Sequence, residues 1–225
     1  MIFCLANAVA ALDPNRSISQ YKRENRGIEQ GFTGGTIYAI AQTSDGYLWI
    51  GCDQGLFRFD GFNFQFVPQT TAPFSENKTV LGLLADERGN LWTRLSGSAL
   101  LRYQDGKFTT VVDDSQRPVT NVMAMNRASG GRILVATLQG ELFQSGAEDF
   151  LVPVGGVKIP KSLVNTMAET ANGEIWLGTR DNGLFRIRGE EITAVTDGLP
   201  DLKINCLLPD GGSGLLIGTD KGLAH

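Results

Sequence analysis

A short apolar segment recurs five times along the chain. Its copies are Trp49-Ile50-Gly51-Cys52, Trp92-Thr93-Arg94-Leu95, Leu134-Val135-Ala136-Thr137, Trp176-Leu177-Gly178-Thr179 and Leu216-Ile217-Gly218-Thr219. The steps from one to the next are 43, 42, 42 and 40 residues. A constant period in the low forties, carried by strand-like segments, is the pattern of β-propeller blades. The chain is therefore expected to be all-β, built of four-stranded antiparallel blades repeating about every 42 residues, about four and a half in number.

The first copy spells out the unit. Residues 37–41 are apolar and suit a buried innermost strand. Asp45-Gly46 is a hairpin signal, because glycine tolerates positive φ. Tyr47 to Gly51 then reads as the second strand, Leu56 to Phe59 as the third, and Asp60-Gly61 as another turn. Phe62, Phe64 and Phe66 alternate with polar residues, which predicts three rings on one face of an outer strand. Third strands recur at 100–103, 142–144 and 184–187, and most of the 28 glycines fall at repeat turns. The large residue at the centre of each second strand (Trp49, Trp92, Leu134, Trp176, Leu216) is expected to fill the wedge between neighbouring blades. No heptad or long helical period appears. The pattern places a lead-in with an outer strand at 11–35 and repeats at 36–78, 79–120, 121–162, 163–202 and 203–225, the last truncated.

Composition excludes more than it selects. The net charge of −4 comes from scattered residues of both signs, so there is no basic footprint for nucleic acid or an anionic membrane. No stretch reaches the roughly 18 apolar residues of a membrane span. Residues 1–10 are apolar and end in small residues, like the later part of a secretory signal with cleavage after Ala10; the competing reading is a disordered tail. A disulfide between Cys52 and Cys206 needs Cα atoms within about 7 Å. They stand four blades apart, so two buried free thiols are expected.

The repeats resemble the two-component regulator propeller repeat. The likeness rests on Ser44-Asp45-Gly46-Tyr47-Leu48-Trp49-Ile50-Gly51-Cys52 with Gly55-Leu56-Phe57-Arg58. It returns in Asn172-Gly173-Glu174-Ile175-Trp176-Leu177-Gly178-Thr179 with Gly183-Leu184-Phe185-Arg186. Two copies depart: Arg94-Leu95 stands for Gly-Thr, and Leu134 with Gln144 stands for Trp with Arg. What the resemblance implies is a periplasmic sensor region, with seven-bladed propellers ahead of a β-sandwich, a membrane helix and a histidine kinase or diguanylate cyclase. On that footing the chain is a fragment, an incomplete arc of a seven-bladed ring, from a homodimeric receptor anchored in the inner membrane. The competing arrangement is a five-bladed ring closed by residues 18–22 as the outer strand of the fifth blade.

A search for chemistry selects no catalytic residue, no metal ligand and no cofactor. The single histidine, His225, aligns with Arg58, Arg102, Gln144 and Arg186, a polar and solvent-facing position. That leaves no basis for a histidine triad or a histidine-rich metal site. Glu190 and Glu191 read as a solvated turn, and the sequons at Asn15 and Asn77 are patterns common by chance. Ligand-binding residues stay unassigned, although the loops at 31–35, 71–78, 115–118, 158–162 and 198–203 join blade to blade where propellers often bind. The expected partner is a small molecule, oligosaccharide or peptide, with no nucleic acid and no direct membrane contact. Three readings follow: a non-catalytic sensing module, a lyase-type propeller enzyme, or a stand-alone interaction scaffold.

Overall fold

A computed structural model describes residues 17–21, 24–68, 79–146, 149–159 and 162–225. The proposed signal, both sequons and the loop at 71–78 lie outside the described residues. The rest is the expected all-β propeller architecture, arranged as five antiparallel sheets in chain order. The first pairs β1 (Ile37–Gln42), β2 (Leu48–Cys52), β3 (Gly55–Phe59) and β4 (Phe64–Phe66). The second pairs β5 (Val80–Ala85), β6 (Leu91–Leu95), β7 (Leu101–Gln104) and β8 (Lys107–Thr110). The third pairs β9 (Val122–Arg127), β10 (Ile133–Thr137), β11 (Glu141–Ser145) and β12 (Leu151–Lys158). The fourth contains β13 (Val164–Glu169), β14 (Ile175–Thr179), β15 (Leu184–Arg188) and β16 (Glu191–Val195). The fifth has three strands, β17 (Ile204–Pro209), β18 (Leu215–Thr219) and β19 (Gly222–Ala224). The innermost strands β1, β5, β9, β13 and β17 stand side by side in that order, which sets the sheets around an axis.

Each sheet is stitched internally by its ladder, whereas successive sheets meet face to face through side chains. Trp49 and Leu56 of the first sheet pack on Val80, Leu91 and Leu101 of the second. Trp92 and Leu100 pack on Val122, Ile133 and Val135 of the third, and Leu134 and Leu142 on Val164, Met167 and Leu177 of the fourth. Ala168, Trp176 and Leu184 then meet Ile204, Leu215 and Ile217. Trp49, Trp92 and Leu134 are buried as expected, while Trp176 is half-buried.

Each indole carries a cation across the ladder. Trp49 stands opposite Arg58, Trp92 opposite Arg102 and Trp176 opposite Arg186. The guanidinium carbons lie 6.0, 5.9 and 5.8 Å from the indole centroids, within cation–π reach. Where the tryptophan is lost, so is the arginine: Leu134 faces Gln144.

The turn six residues before two of the three indoles answers the indole N–H. Trp49 Nε1 donates to Thr43 Oγ1 at 2.9 Å, and Trp92 Nε1 donates to Asp86 Oδ2 at 2.9 Å. Asp86 also accepts from the backbone of Arg88 and Asn90 and from the Asn90 amide, so one buried carboxylate organises the whole hairpin. The third copy has Leu134 and needs no acceptor, and Ala128 occupies the place. In the fourth, the Thr170 hydroxyl turns to Asn172, and Trp176 Nε1 is left buried without a partner.

The ends of the arc correct several expectations. Ile18–Gln20 form a 3-10 turn and not an outer strand, and among the described residues β17, β18 and β19 pair only with each other. Leu216 is 41% exposed rather than wedged, and Leu208 and Leu223 beside it are also exposed. Cys206, on the same face, is an exposed free thiol; Cys52 alone is buried. These side chains occupy the positions that Ala168, Trp176 and Leu184 bury in the fourth sheet, but no sixth sheet meets them here. At the other end the face of β1 carries exposed Ile37, Tyr38 and Ile40, so the innermost strand of the first sheet is not the buried strand its composition suggests. Phe62 lies in the turn ahead of β4 and is exposed, so only Phe64 and Phe66 stand on the strand. Phe32 covers the centre of that face, with its ring 5.1 Å from Phe57 and 5.2 Å from Phe64.

One buried position breaks the apolar rule. Thr93 sits where the other copies have Ile50, Val135, Leu177 and Ile217, and its fully buried hydroxyl has no hydrogen-bond partner. An unmade buried hydrogen bond costs about 1–3 kcal/mol. Thr93→Val is expected to raise the melting temperature by about 2–4 °C, the shift that about 1 kcal/mol gives in a chain of this size. Asp86→Ala acts in the opposite direction by orphaning the Trp92 indole and two backbone amides. A loss of about 2–3 kcal/mol in urea unfolding is expected.

Candidate functional site

The innermost strands share a defect at one height. In every sheet the pairing of first and second strands slips by one residue, between Ile37 and Ala39, Val80 and Gly82, Val122 and Ala124, Val164 and Thr166, and Ile204 and Cys206. Such a bulge leaves one residue out of the ladder and re-aims its groups. The residues left out are Tyr38, Leu81, Met123, Asn165 and Asn205. Their free groups find partners off the ladder: Tyr38 donates to Asp53 at 2.8 Å, Asn165 to the Ile204 carbonyl at 3.0 Å, and Asn205 to Asp220 at 2.7 Å.

Just past the bulge the second strand carries Gly51, Arg94, Ala136, Gly178 or Gly218. A Cβ at Gly51 would lie 2.5 Å from Val80, and one at Gly178 would lie 2.5 Å from Ile204. The small residue therefore lets the next sheet's first strand press in. Arg94 is the exception, and its room comes from across the ladder, where its partner is Gly82. A Cβ on Gly82 would stand 3.1 Å from Arg94 Nε. The guanidinium reaches two carbonyls: Nη2 donates to Leu81, the bulge residue, at 3.2 Å, and Nη1 to Val122 of the next sheet at 3.3 Å. Burial pushes the Arg94 pKa down, yet arginine remains protonated in any protein setting.

Arg94 lines an axial pocket of 240 Å³ built from the innermost strands of four sheets. Gly82 and Leu83, Met123 to Asn126, Asn165 to Met167, and Leu207 complete its wall. Two polar bridges cross between sheets there: Asn126 to the Met167 carbonyl and Asn165 to the Ile204 carbonyl. The departure of Arg94 from the repeat is visible in the sequence; its direction toward the axis is not, because that depends on the bulge and on Gly82.

A larger groove of 790 Å³ lies on the rim between the first and second sheets, with Trp49, Arg58, Gln65, Tyr103, Lys107 and Phe108 in its wall. Its arginine is already engaged: Arg58 donates to Gln65 at 3.0 Å and stacks 4.4 Å from the Tyr47 centroid. Residues 160–161 of the 158–162 loop lie outside the described residues, and the three fully described loops singled out from sequence are likewise occupied with holding themselves. At 31–35, Phe32 acts as a lid on the first sheet. At 115–118, Asp113 accepts from the backbone of Ser115 and Arg117 and pairs with the Arg117 guanidinium. At 198–203, Asp201 pairs with Lys221 at 2.7 Å. His225 follows β19, away from the axis, and approaches Asp210 at 3.2 Å. Among the described residues no three His, Cys, Asp or Glu side chains gather as a metal site.

The two component regulator propeller profile matches this chain twice, at residues 31–54 and 158–181. No curated protein matches the full sequence. Among solved structures, one described as the extracellular domain of a hybrid two component system, BT3049 from B. thetaiotaomicron, is similar over 89% of this chain and 30% of its own length. The TM-score is 0.73 at 20% identity. Virginiamycin B lyase from Staphylococcus aureus is similar at a TM-score of 0.64 and 15% identity, over 86% of this chain and 70% of the lyase. A gluconolactonase from Xanthomonas campestris reaches a TM-score of 0.54 at 13% identity, over 82% and 69% of the two chains. At these identities the likeness is one of fold. The chain spans less than a third of the two-component domain it resembles.

The exchange of small for large residues across the β5–β6 ladder is open to a double-mutant cycle. Gly82→Val drives a branched side chain into Arg94 and is expected to cost about 1–3 kcal/mol. In an Arg94→Ala background the same change is expected to cost less than half as much, a coupling that urea unfolding of the four proteins measures.

Proposed function

We propose that this chain, which matches the two-component regulator propeller repeat at its first and fourth sheets, is a ligand-sensing module on the extracytoplasmic side of a membrane-bound two-component receptor. It makes and breaks no bonds itself. A ligand held at the axis touches several sheets at once, so binding changes the relation between sheets, and the rest of the receptor carries that change to a kinase or cyclase. The observation that carries this reading is the axial pocket. Its wall is drawn from four successive sheets, and it holds a cation with no carboxylate in that wall. The matched repeats and the fold shared with a two-component extracellular domain support the same assignment. A seven-bladed ring and a dimeric parent belong to this proposal.

A lyase-type enzyme is the second reading, favoured by the shared fold with virginiamycin B lyase. The structure compared is a catalytically inactive histidine-to-alanine variant of that lyase. The single histidine here stands off the axis on the edge of the fifth sheet, outside the axial pocket. An alkaline phosphatase fusion placed after His225 in the native gene tests the sensing proposal. It is expected to show phosphatase activity on intact cells. An inactive fusion, or turnover of quinupristin or a lactone by the purified chain, would overturn the proposal.

A further inference from the structure

The axial pocket contains charge of only one sign. Its wall holds Arg94, two asparagines, Thr166 and apolar residues, with no aspartate or glutamate, in a chain whose net charge is −4. Among the described residues Arg94 has no carboxylate within ion-pair distance, whereas Arg102, Arg117, Arg132 and Arg188 each do. Arg94 is half-buried, and taking a charge even partly out of water without an opposite charge is unfavourable. Two backbone carbonyls offset part of that cost and use two of the five guanidinium N–H groups, leaving three as donors. Each amide of Asn126 and Asn165 spends one N–H on a carbonyl of the next sheet and keeps a second.

The rest of the wall is soft. Met123, Met125 and Met167 are three of the four methionines in the whole chain, and all three line this pocket. Methionine adapts its shape to irregular apolar groups. The pocket's 240 Å³ falls below the roughly 300–1,000 Å³ of sites that enclose a whole drug-sized ligand. It therefore suits the charged end of a ligand and a few attached carbons.

We infer that the axial pocket takes a small organic anion, seating one oxyanion group (a carboxylate or a sulfate) on Arg94 with its few attached carbons beside the half-buried Met123 and Met125. This deepens the sensing proposal and rests on it for its biological meaning, but its chemistry is testable alone. Charged hydrogen bonds of this kind are about twice as strong as neutral ones, and guanidinium matches either group in a two-pronged geometry. Arg94 is then the residue that sets specificity for charge. The ladder partner Gly82 is what allows it to stand there.

The test is calorimetric titration of the full chain with sodium butyrate, sodium methyl sulfate and the neutral butyramide, at constant ionic strength. Butyrate or methyl sulfate is expected to bind one to one, and the stronger of the two identifies the oxyanion. Butyramide is expected to bind at least about tenfold more weakly, the loss that follows when a charged hydrogen-bond acceptor is made neutral. Arg94→Ala places at this site the residue that the third sheet already carries as Ala136, so a folded protein is expected, with circular dichroism as the check. Its anion affinity should fall at least tenfold. Arg94→Lys should keep binding within a few-fold, and Lys107→Ala on the rim should leave it unchanged. Equal binding by Arg94→Ala, equal binding of butyramide, or no heat from either anion at 50 mM (a concentration of about that order reaches weak, millimolar sites) would overturn the assignment. The two proposals fail separately. An exported chain that ignores both anions keeps the sensing role and loses this ligand class, and a chain retained in the cytoplasm that still captures butyrate through Arg94 does the reverse.

Discussion

Nothing but side-chain packing holds one sheet to the next across most of this molecule. Most backbone hydrogen bonds are made within a sheet, with few exceptions such as Ala171 to Gly212, so the large residue at the centre of every second strand carries much of the contact between sheets. Burying such a side chain is worth about 1.5–3 kcal/mol, and the unit has to repeat that gain at each interface. Trp49, Trp92 and Leu134 are buried because a following sheet exists to meet them. Leu216 has the same sequence setting but is exposed, with no described sheet packed on it. The arginines opposite the indoles and the acceptors in the preceding turns serve the same contact. They hold each indole flat on its own sheet so that its far face is free to pack.

Among the polar links between sheets, some, such as Arg132 to Glu169 and Arg102 to Asp149, are ion pairs, while one set lies close to the axis and ends on backbone carbonyls. Arg94 reaches Val122, Asn126 reaches Met167, Asn165 reaches Ile204 and Arg127 reaches Ala85. The recurring bulge makes the Asn165 link available by taking that residue out of the ladder where the innermost strands converge, and it frees the Leu81 carbonyl that Arg94 also reaches. A site placed there is coupled to several sheets at once. A site on the rim, such as the groove between Trp49 and Phe108, touches two. That difference is the physical reason to place sensing at the axis.

Much of the architecture was legible because it is written in local chemistry that repeats. Turn glycines such as Gly46 and Gly89 take the left-handed conformation they were expected to need, and the second and third strands fall where their apolar runs lie. The acceptors Thr43 and Asp86 were less visible, since a threonine or aspartate before a turn is ordinary until its distance to an indole is known. The candidate site was half legible. Arg94 stood out as a break in the repeat, but nothing in a linear string tells whether such an arginine faces solvent, a carboxylate or an axis.

The sequence by itself determined the period, the turn positions and which residue of each unit would be large, because these depend on interactions within about ten residues of chain. Tertiary structure decided which of those large residues found a neighbour, why Cys206 lies open while Cys52 is sealed, and that Arg94 shares a pocket with three methionines and no acid. Each of those outcomes depends on a side chain from another sheet, some forty residues away. Burial and charge pairing are properties of the assembled interface and not of the repeat that contributes to it.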